Sequence, residues 1–312
     1  MNPVLGVLGV PTSAGAFAPG QEEAPQALRD AGLLGLLREA GIAVSDHGDR
    51  PVWRWRPDRE RPRVQNLDTV VSVVRETAAR VADAASAGEV TLVLGGDCTV
   101  GMGTVAGHVA AAPDERMGLI YLDSHADLNI PQSVHEGALD WMGMAHMLGV
   151  DGAAPELVRV GARVPLLDAD QVVLVGWGPE QATEFERAVI GERNLAVVAV
   201  DRVARDPEAA ALEARRRLRG CDRIVVHFDV DVIDFTETPM SENWGRNEGL
   251  TFDNALRAFS VLVADAALAG VTITELNPNH TEAGAGTIER FARAVATSLG
   301  ARGSVVESPF AF

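Results

Sequence analysis

The chain has 312 residues, enough for one large α/β domain or two ordinary ones, and 47% are hydrophobic, as in globular proteins. Its net charge of −17 at pH 7 argues against binding to nucleic acid or anionic membranes. Such a charge is expected for a protein that binds a cationic substrate or a metal, but it also serves solubility alone. All 27 basic residues are arginine, which excludes a Schiff-base or P-loop lysine.

A few sequence features bear on where in the cell the protein acts. The two cysteines, Cys98 and Cys221, cannot form a disulfide framework, and residues 1–6 lack the basic start of a secretory signal. No apolar run approaches the roughly 20 residues that span a bilayer. We therefore expect a cytoplasmic protein that does not associate with membranes.

The first half of the chain alternates apolar runs with helical periodicity. A loop rich in small residues, 11–20, separates the first predicted strand from the first helix, and 49–62 predicts an irregular segment with Trp53 and Trp55. The predicted strands are 3–9, 90–94 and 119–122, and the predicted helices are 22–40, 70–85 and 105–112.

The second half continues the alternation after the less clear segments 142–148 and 164–167. A long polar loop is predicted at 234–249. The predicted strands are 171–175, 196–200, 224–228 and 271–276, and the predicted helices are 180–190, 207–219, 252–264 and 283–299.

Strands that alternate with helices, without a linker or repeat, predict a mostly parallel sheet covered by helices on both faces. We expect a single three-layer α/β/α domain over residues 1–312. In such folds ligands bind in the crevice at the carboxyl ends of the strands. Every candidate ligand below follows a predicted strand.

Two predicted strands end in residues that commonly bind metals. Asp123, His125 and Asp127 stand at i, i+2 and i+4 after strand 119–122, so an extended backbone would point them to one side. Asp229 and Asp231 repeat this spacing after strand 224–228. Strand-end caps and salt bridges would also use such residues, but five in two similar settings indicate a site for two divalent cations. The pattern favours a metal-dependent hydrolase.

Five stretches, in order, resemble the arginase/agmatinase (ureohydrolase) family almost end to end. They are Pro11-Thr-Ser-Ala-Gly with the following 20–33, Gly95-Gly96-Asp97, Asp123-Ser-His125-Ala-Asp127-Leu-Asn129, Phe228-Asp229-Val-Asp231 and Glu275-Leu-Asn277-Pro278. The resemblance implies an arginase-like α/β fold, two Mn²⁺ per chain and a small cationic guanidino substrate. It also implies a homo-oligomer, a trimer or hexamer.

The same resemblance implies roles for individual residues. Asp123 and Asp229 would bridge the metals, His125 and Asp231 would complete one, and Asp127 the other. A metal-bridging hydroxide would attack the guanidinium carbon, giving urea or a urea analogue and an amine. Asp127 would then transfer the proton, and Glu275 would hold the guanidinium. Asn129 matches the Asn that follows the metal motif and is a candidate substrate contact.

Three positions depart from the family pattern. Cys98 stands where the family has its leading metal ligand, a His, and thiolate prefers softer metals than manganese. That site could therefore be weak, empty or filled by another metal. Asp140 stands where arginases have a proton-transfer His, for which His135 could substitute. Glu180 lies in the segment that reads the substrate's α-amino group in arginases, whose acids are only partly present here.

These departures keep several functions open. A Cys at the first ligand position and a missing catalytic His resemble the divergent branch that contains the Nω-hydroxy-arginine amidinohydrolase of D-cycloserine biosynthesis, so a modified guanidine is one alternative substrate. A formimidoyl or amide hydrolase of the same fold is another reading, and a metal-depleted, non-catalytic binding subunit is a third. His227 is interpreted as a core or supporting residue rather than a ligand.

Overall fold

A computed structural model describes residues 4–282 and 284–303. Eight parallel strands form one sheet in the order β2-β1-β3-β8-β7-β4-β5-β6. The strands are β1 (Leu5–Gly9), β2 (Val44–Asp49), β3 (Val90–Leu94), β4 (Met117–Leu122), β5 (Val172–Trp177), β6 (Ala196–Ala199), β7 (Arg223–Asp229) and β8 (Leu268–Thr274).

Helices cover both faces of the sheet and create two apolar cores. They are α1 (Ala24–Asp30), α2 (Leu33–Glu39), α3 (Leu67–Ser86), α4 (Thr99–Ala111), α5 (Gly143–Met147), α6 (Pro155–Val158), α7 (Glu184–Arg193), α8 (Val200–Arg205), α9 (Pro207–Arg217), α10 (Phe252–Val263) and α11 (Thr287–Gly300). Alternate residues of β4 face opposite ways: Ile120 packs into the core under α9 to α11, and Leu119 into the core under α3 to α5. The three-layer α/β/α prediction is confirmed.

The structure differs from the sequence prediction in the region before β3. The single helix expected over 22–40 is two helices, because Gly32 takes a left-handed conformation (φ 79°) between α1 and α2. Strand β2 was not expected at all, since it is a half-exposed edge strand of polar composition. The expected helix 283–299 begins at Thr287, and Ala283 lies outside the described residues. Among the described residues, no helix combines the length and hydropathy needed to cross a bilayer.

Candidate metal centre and substrate cavity

Neighbouring strands bring their carboxyl ends together at one edge of the sheet. β7 lies between β4 and β8, with Phe228 opposite Leu122 and Asp229 opposite Thr274, and β3 pairs with the far side of β8. Because all these strands are parallel, the residues that follow them meet at the same edge. These residues are Cys98, Asp123, Asp229 and Glu275.

A tight turn after β3 places Cys98. Gly96 approaches the backbone of Thr12 so closely that a Cβ there would lie 1.7 Å from the Thr12 carbonyl oxygen. The chain can therefore enter α4 at once, with Cys98 as the residue before its first turn. The Cys98 amide donates to Glu275 Oε1 at 2.8 Å, which joins the end of β3 to the end of β8.

The first donor group consists of Asp123, His125 and Asp231. His125 Nδ1 lies 3.0 Å from Asp231 Oδ2 and 3.4 Å from Asp123 Oδ1, and the three donor atoms lie within 4.8 Å of one another. The other ring nitrogen, Nε2, lies 2.9 Å from Gln181 Oε1 and 2.9 Å from Asn243 Nδ2. These contacts fix the ring with Nδ1 toward the carboxylates.

The second donor group consists of Cys98, Asp123, His227 and Asp229, all buried and again within 4.8 Å of one another. Cys98 Sγ donates to Asp229 Oδ2 at 2.8 Å and lies 3.4 Å from His227 Nε2. Asp123 belongs to both groups, as a carboxylate that bridges two ions would.

The donor chemistry decides which metals fit. Asp123 Oδ2 and Asp231 Oδ1 are buried and receive no hydrogen bond from the described residues, so each is available as a ligand. The His125 group offers an imidazole and two carboxylates, which fit manganese. The Cys98 group includes a thiol, and thiolate favours softer metals, so this half fits manganese poorly.

Asp123, Glu275 and Asp140 resist ionisation without a bound cation, whereas His125, despite burial, keeps the pKa of Asp231 below its usual value. Burial, followed by repulsion from Asp231, raises the pKa of Asp123 to about 7. Burial, followed by repulsion from Asp97, raises the pKa of Glu275 well above its usual range. Burial, followed by repulsion from Glu275, does the same for the pKa of Asp140. A cation between such carboxylates would remove the cost of their crowding, so the site is suited to positive charge.

Asp127 lies beside the donor groups rather than within them. Within the described chain, its carboxylate is part of neither group. Its Oδ2 instead accepts a hydrogen bond of 2.5 Å from the hydroxyl of Tyr121, on β4. Asp127 has a left-handed backbone conformation (φ 50°), which directs its side chain into the cavity next to the metal ligands.

A cavity of about 320 Å³ opens from the donor groups to the surface. Glu275 and Asp140 line it, and both are buried. Asn129 also lines it, and its Oδ1 accepts from Thr183 Oγ1 and Ser133 Oγ at 2.9 Å each. Six carboxylates face this space, and no described lining residue is arginine.

Two of the sequence candidates lie on the surface. His135 is exposed in the loop after β4, with Nδ1 3.5 Å from the Arg63 guanidinium. Glu180 is exposed in the loop after β5. The structure therefore brings Asp140, and not His135, beside the candidate metal ligands.

Several site residues escaped the sequence reasoning. His227 is in contact with Cys98, although it was interpreted as a supporting residue. Its i, i+2 spacing to Asp229 was a visible signal, but the position of Cys98 above the same strand was not. Gln181 follows Glu180 in the segment that resembles the arginase substrate-reading segment, and Asn243 lies in the predicted polar loop 234–249, but nothing in the sequence connected either residue with His125.

Comparisons with known proteins give the family. The arginase family model matches residues 4–300. Human arginase-1 is 29% identical over 299 residues, 95% of this chain and 90% of its own length. The solved arginase of Bacillus caldovelox superposes with a TM-score of 0.84 at 27% identity, covering 96% of this chain and 98% of that one. Proclavaminate amidino hydrolase from Streptomyces clavuligerus has a TM-score of 0.70 at 18% identity, which shows a shared fold alone.

The family resemblance in the sequence is thus confirmed over almost the whole described chain. Members of this family are amidinohydrolases, typically with a binuclear metal centre, and the described residues include two adjoining groups of metal-type donors. The chain belongs to the arginase family and is a hydrolase of linear amidine C–N bonds.

Proposed function

We propose that this chain hydrolyses the guanidino group of arginine or an arginine-like compound to urea, or a urea analogue, and an amine. The observation that supports this most directly is the position of Glu275, Asp140 and Asp127, which face one cavity beside the metal-type donors. A planar cation is the ligand that such an acidic cavity accommodates best.

Glu275 and Asp140 would hold the guanidinium. The Glu275 carboxylate is fixed by the Cys98 amide and by Gln21 Nε2, which donates at 3.1 Å. Asp140 Oδ1 accepts from the Trp141 amide at 3.0 Å. With both carboxylates so oriented, a bound guanidinium would offset the burial and the repulsion between carboxylates that raise their pKa values.

The chemical step would take place next to the donor groups. Divalent cations, with Mn²⁺ held by Asp123, His125 and Asp231, would supply a strong nucleophile from water at neutral pH. Asp127 is placed to accept a proton from the attacking water and to deliver it to the leaving nitrogen. Tyr121 keeps the Asp127 carboxylate oriented during this transfer.

The aliphatic part of the substrate would extend toward the cavity mouth. Phe17, 40% exposed, and Trp141 lie there with ring centroids 5.7 Å apart, and Asn129 supplies a polar contact deeper inside. Glu180, farther out, would meet a substrate amino group. The family resemblance supports a homo-oligomer, a trimer or hexamer, that acts in the cytoplasm.

The test is product release from a panel of arginine, agmatine and Nω-hydroxy-arginine by protein loaded with Mn²⁺, alone or together with a softer divalent cation. Urea and hydroxyurea are measured separately. Citrulline, whose ureido group is neutral, is the negative control. We expect urea from at least one cationic guanidine and none from citrulline. No product from any guanidine, with metal content verified, would reject the proposal, and hydroxyurea alone would assign a modified guanidine.

A further inference from the structure

The mechanism above gives no role to the contact between Cys98 and His227. We infer that Cys98, His227, Asp123 and Asp229 form a thiolate–imidazole site for a softer cation of the Zn²⁺ type, next to the manganese-type donors at His125. The inference rests on the proposed function, because it assigns the metal in one half of the same centre. The centre would then be chemically unsymmetrical.

The position of the His227 ring supports this assignment. His227 and Asp229 stand at i, i+2 on β7, so both side chains leave the same face of the strand. The ring stacks on Tyr121 with centroids 4.2 Å apart. Its Nδ1 lies against Gly101, where a Cβ would be only 2.6 Å away. Since Nδ1 faces the glycine, Nε2 faces the sulfur of Cys98.

The separation of the Cys98 sulfur and the His227 Nε2 nitrogen matches that of a small tetrahedral site. Zinc bonds to sulfur at about 2.3 Å and to imidazole at about 2.0 Å, which separates the two donors by about 3.5 Å. Cys98 Sγ and His227 Nε2 are 3.4 Å apart. The 2.8 Å contact from Sγ to Asp229 Oδ2 is a hydrogen bond of the thiol, and it would be exchanged for metal bonds once the thiol loses its proton.

The contact between Tyr121 and Asp127 supports His227, rather than Asp127, as the metal ligand in this half of the centre. The resemblance to the family gives Asp127 to the half of the centre that contains Cys98. In this chain the Tyr121 hydroxyl holds the Asp127 carboxylate, and His227 lies within the donor group instead. A thiolate and an imidazole, together with the shielding of both from solvent, favour zinc over manganese.

Cobalt spectroscopy of the full-length protein tests the thiolate. Metal-free wild type titrated with Co²⁺ should develop a near-ultraviolet sulfur-to-cobalt charge-transfer band. Cys98→Ser should abolish the band, and Cys221→Ser, which changes the other cysteine, should retain it. Cobalt binding without such a band, or a band that depends on Cys221, would overturn the inference.

Zinc affinity tests the imidazole. Loss of a residue that only supports a metal ligand costs roughly 10- to 100-fold in affinity. His227→Gln should weaken Zn²⁺ binding by more than that. Thr274→Val, which removes a hydroxyl 3.1 Å from His227 Nε2, should stay within or below that range. Equal effects of the two variants would contradict direct ligation by His227.

X-ray absorption of the zinc-loaded wild type tests the site without relying on the folding of any variant. One sulfur at about 2.3 Å and nitrogen or oxygen donors at about 2.0 Å are expected, and a spectrum without sulfur would reject the site. None of these measurements uses a substrate. Urea release without a thiolate signal would support the proposed function and reject the thiolate site. A thiolate signal without urea release would support the site and reject the proposed function.

Discussion

Two acids of the site have strained backbones. Asp127 and Glu275, which follow β4 and β8, adopt left-handed conformations with φ of 50° and 64°. Non-glycine residues rarely do so, and the cost is of order 1–3 kcal/mol each. Both side chains reach the cavity from these conformations. The strain is consistent with carboxylates that are positioned for chemistry rather than for folding stability.

Asp140 provides the first test at the scale of single residues. Asp140→Asn removes one charge from the proposed guanidinium site, and a hydrogen bond to a charged group contributes about 1.5–3 kcal/mol. We therefore expect kcat/KM for the active guanidine to fall roughly 10- to 100-fold, mainly through a higher KM. His135→Asn, at an exposed position, should change kcat/KM by less than about threefold. A larger effect at His135 than at Asp140 would reverse the assignment.

Tyr121 provides the second test at the scale of single residues. Tyr121→Phe removes the hydroxyl that donates to Asp127 and keeps the ring that stacks on His227. With a charge-assisted hydrogen bond lost, kcat should fall roughly tenfold or more, while zinc and manganese contents stay the same. Steady-state kinetics and elemental analysis measure both quantities. An unchanged kcat would show that Tyr121 has no part in orienting Asp127.

At the scale of elements, the buried strands were the most predictable part of the chain. β3, β4, β7 and β8 are mostly apolar, buried runs with polar residues at or after their carboxyl ends, so the sequence indicated both the strands and the side chains that follow them. The i, i+2 spacing of Asp229 and Asp231 was visible in the sequence, although Asp231 lies in the 3-10 turn that follows β7 and not on the strand itself. The prediction of one domain over 1–312 stays a prediction.

Features that depend on tertiary contacts could not be predicted. β2 is a polar edge strand stabilised by pairing with β1 and by Arg29, which bonds to Asp46 and Asp49. Its residues carry no alternating apolar pattern. His227 likewise becomes a candidate ligand only because α4 begins above β7, and a sequence does not report that proximity.

The break between α1 and α2 gives a prediction with a matched pair of glycines. Gly32 has φ 79° and Gly35 lies inside α2, and at both positions an added Cβ would have no neighbouring atom within 4 Å. Gly32→Ala should lower the free energy of unfolding by about 1 kcal/mol through backbone strain alone. Gly35→Ala should raise it by roughly 0.5–1 kcal/mol. Urea denaturation measures both, and the same sign for the two would contradict the observed helix break.

At the scale of the whole molecule, buried histidines make the stability of the fold sensitive to acid. His108, on α4, lies with Nε2 2.9 Å from Thr91 Oγ1. Burial, followed by the charge of Arg223, lowers the pKa of His108 to about 4. An unfolded chain would bind a proton at this residue near pH 6.5. The folded state must therefore lose stability as the pH falls from 6.5 toward 4, by up to roughly 3 kcal/mol.

His108→Asn should remove this dependence. The free energy of unfolding of the metal-free protein, measured by urea denaturation between pH 7 and 4.5, should fall less steeply for the variant than for wild type. His135→Asn, at an exposed position, should run parallel to wild type. Parallel profiles for His108→Asn would show that His108 is not buried in its neutral form.

The most direct test of the two-metal centre is anomalous diffraction from crystals of the protein loaded with Zn²⁺ and Mn²⁺, recorded on both sides of each absorption edge. We predict two peaks that share Asp123. The zinc peak should lie among Cys98, His227 and Asp229, and the manganese peak beside His125 and Asp231. Manganese in both positions would confirm the centre and reject its unsymmetrical composition. No peak at Asp123 and Asp229 would contradict the centre itself, and with it the proposed hydrolysis.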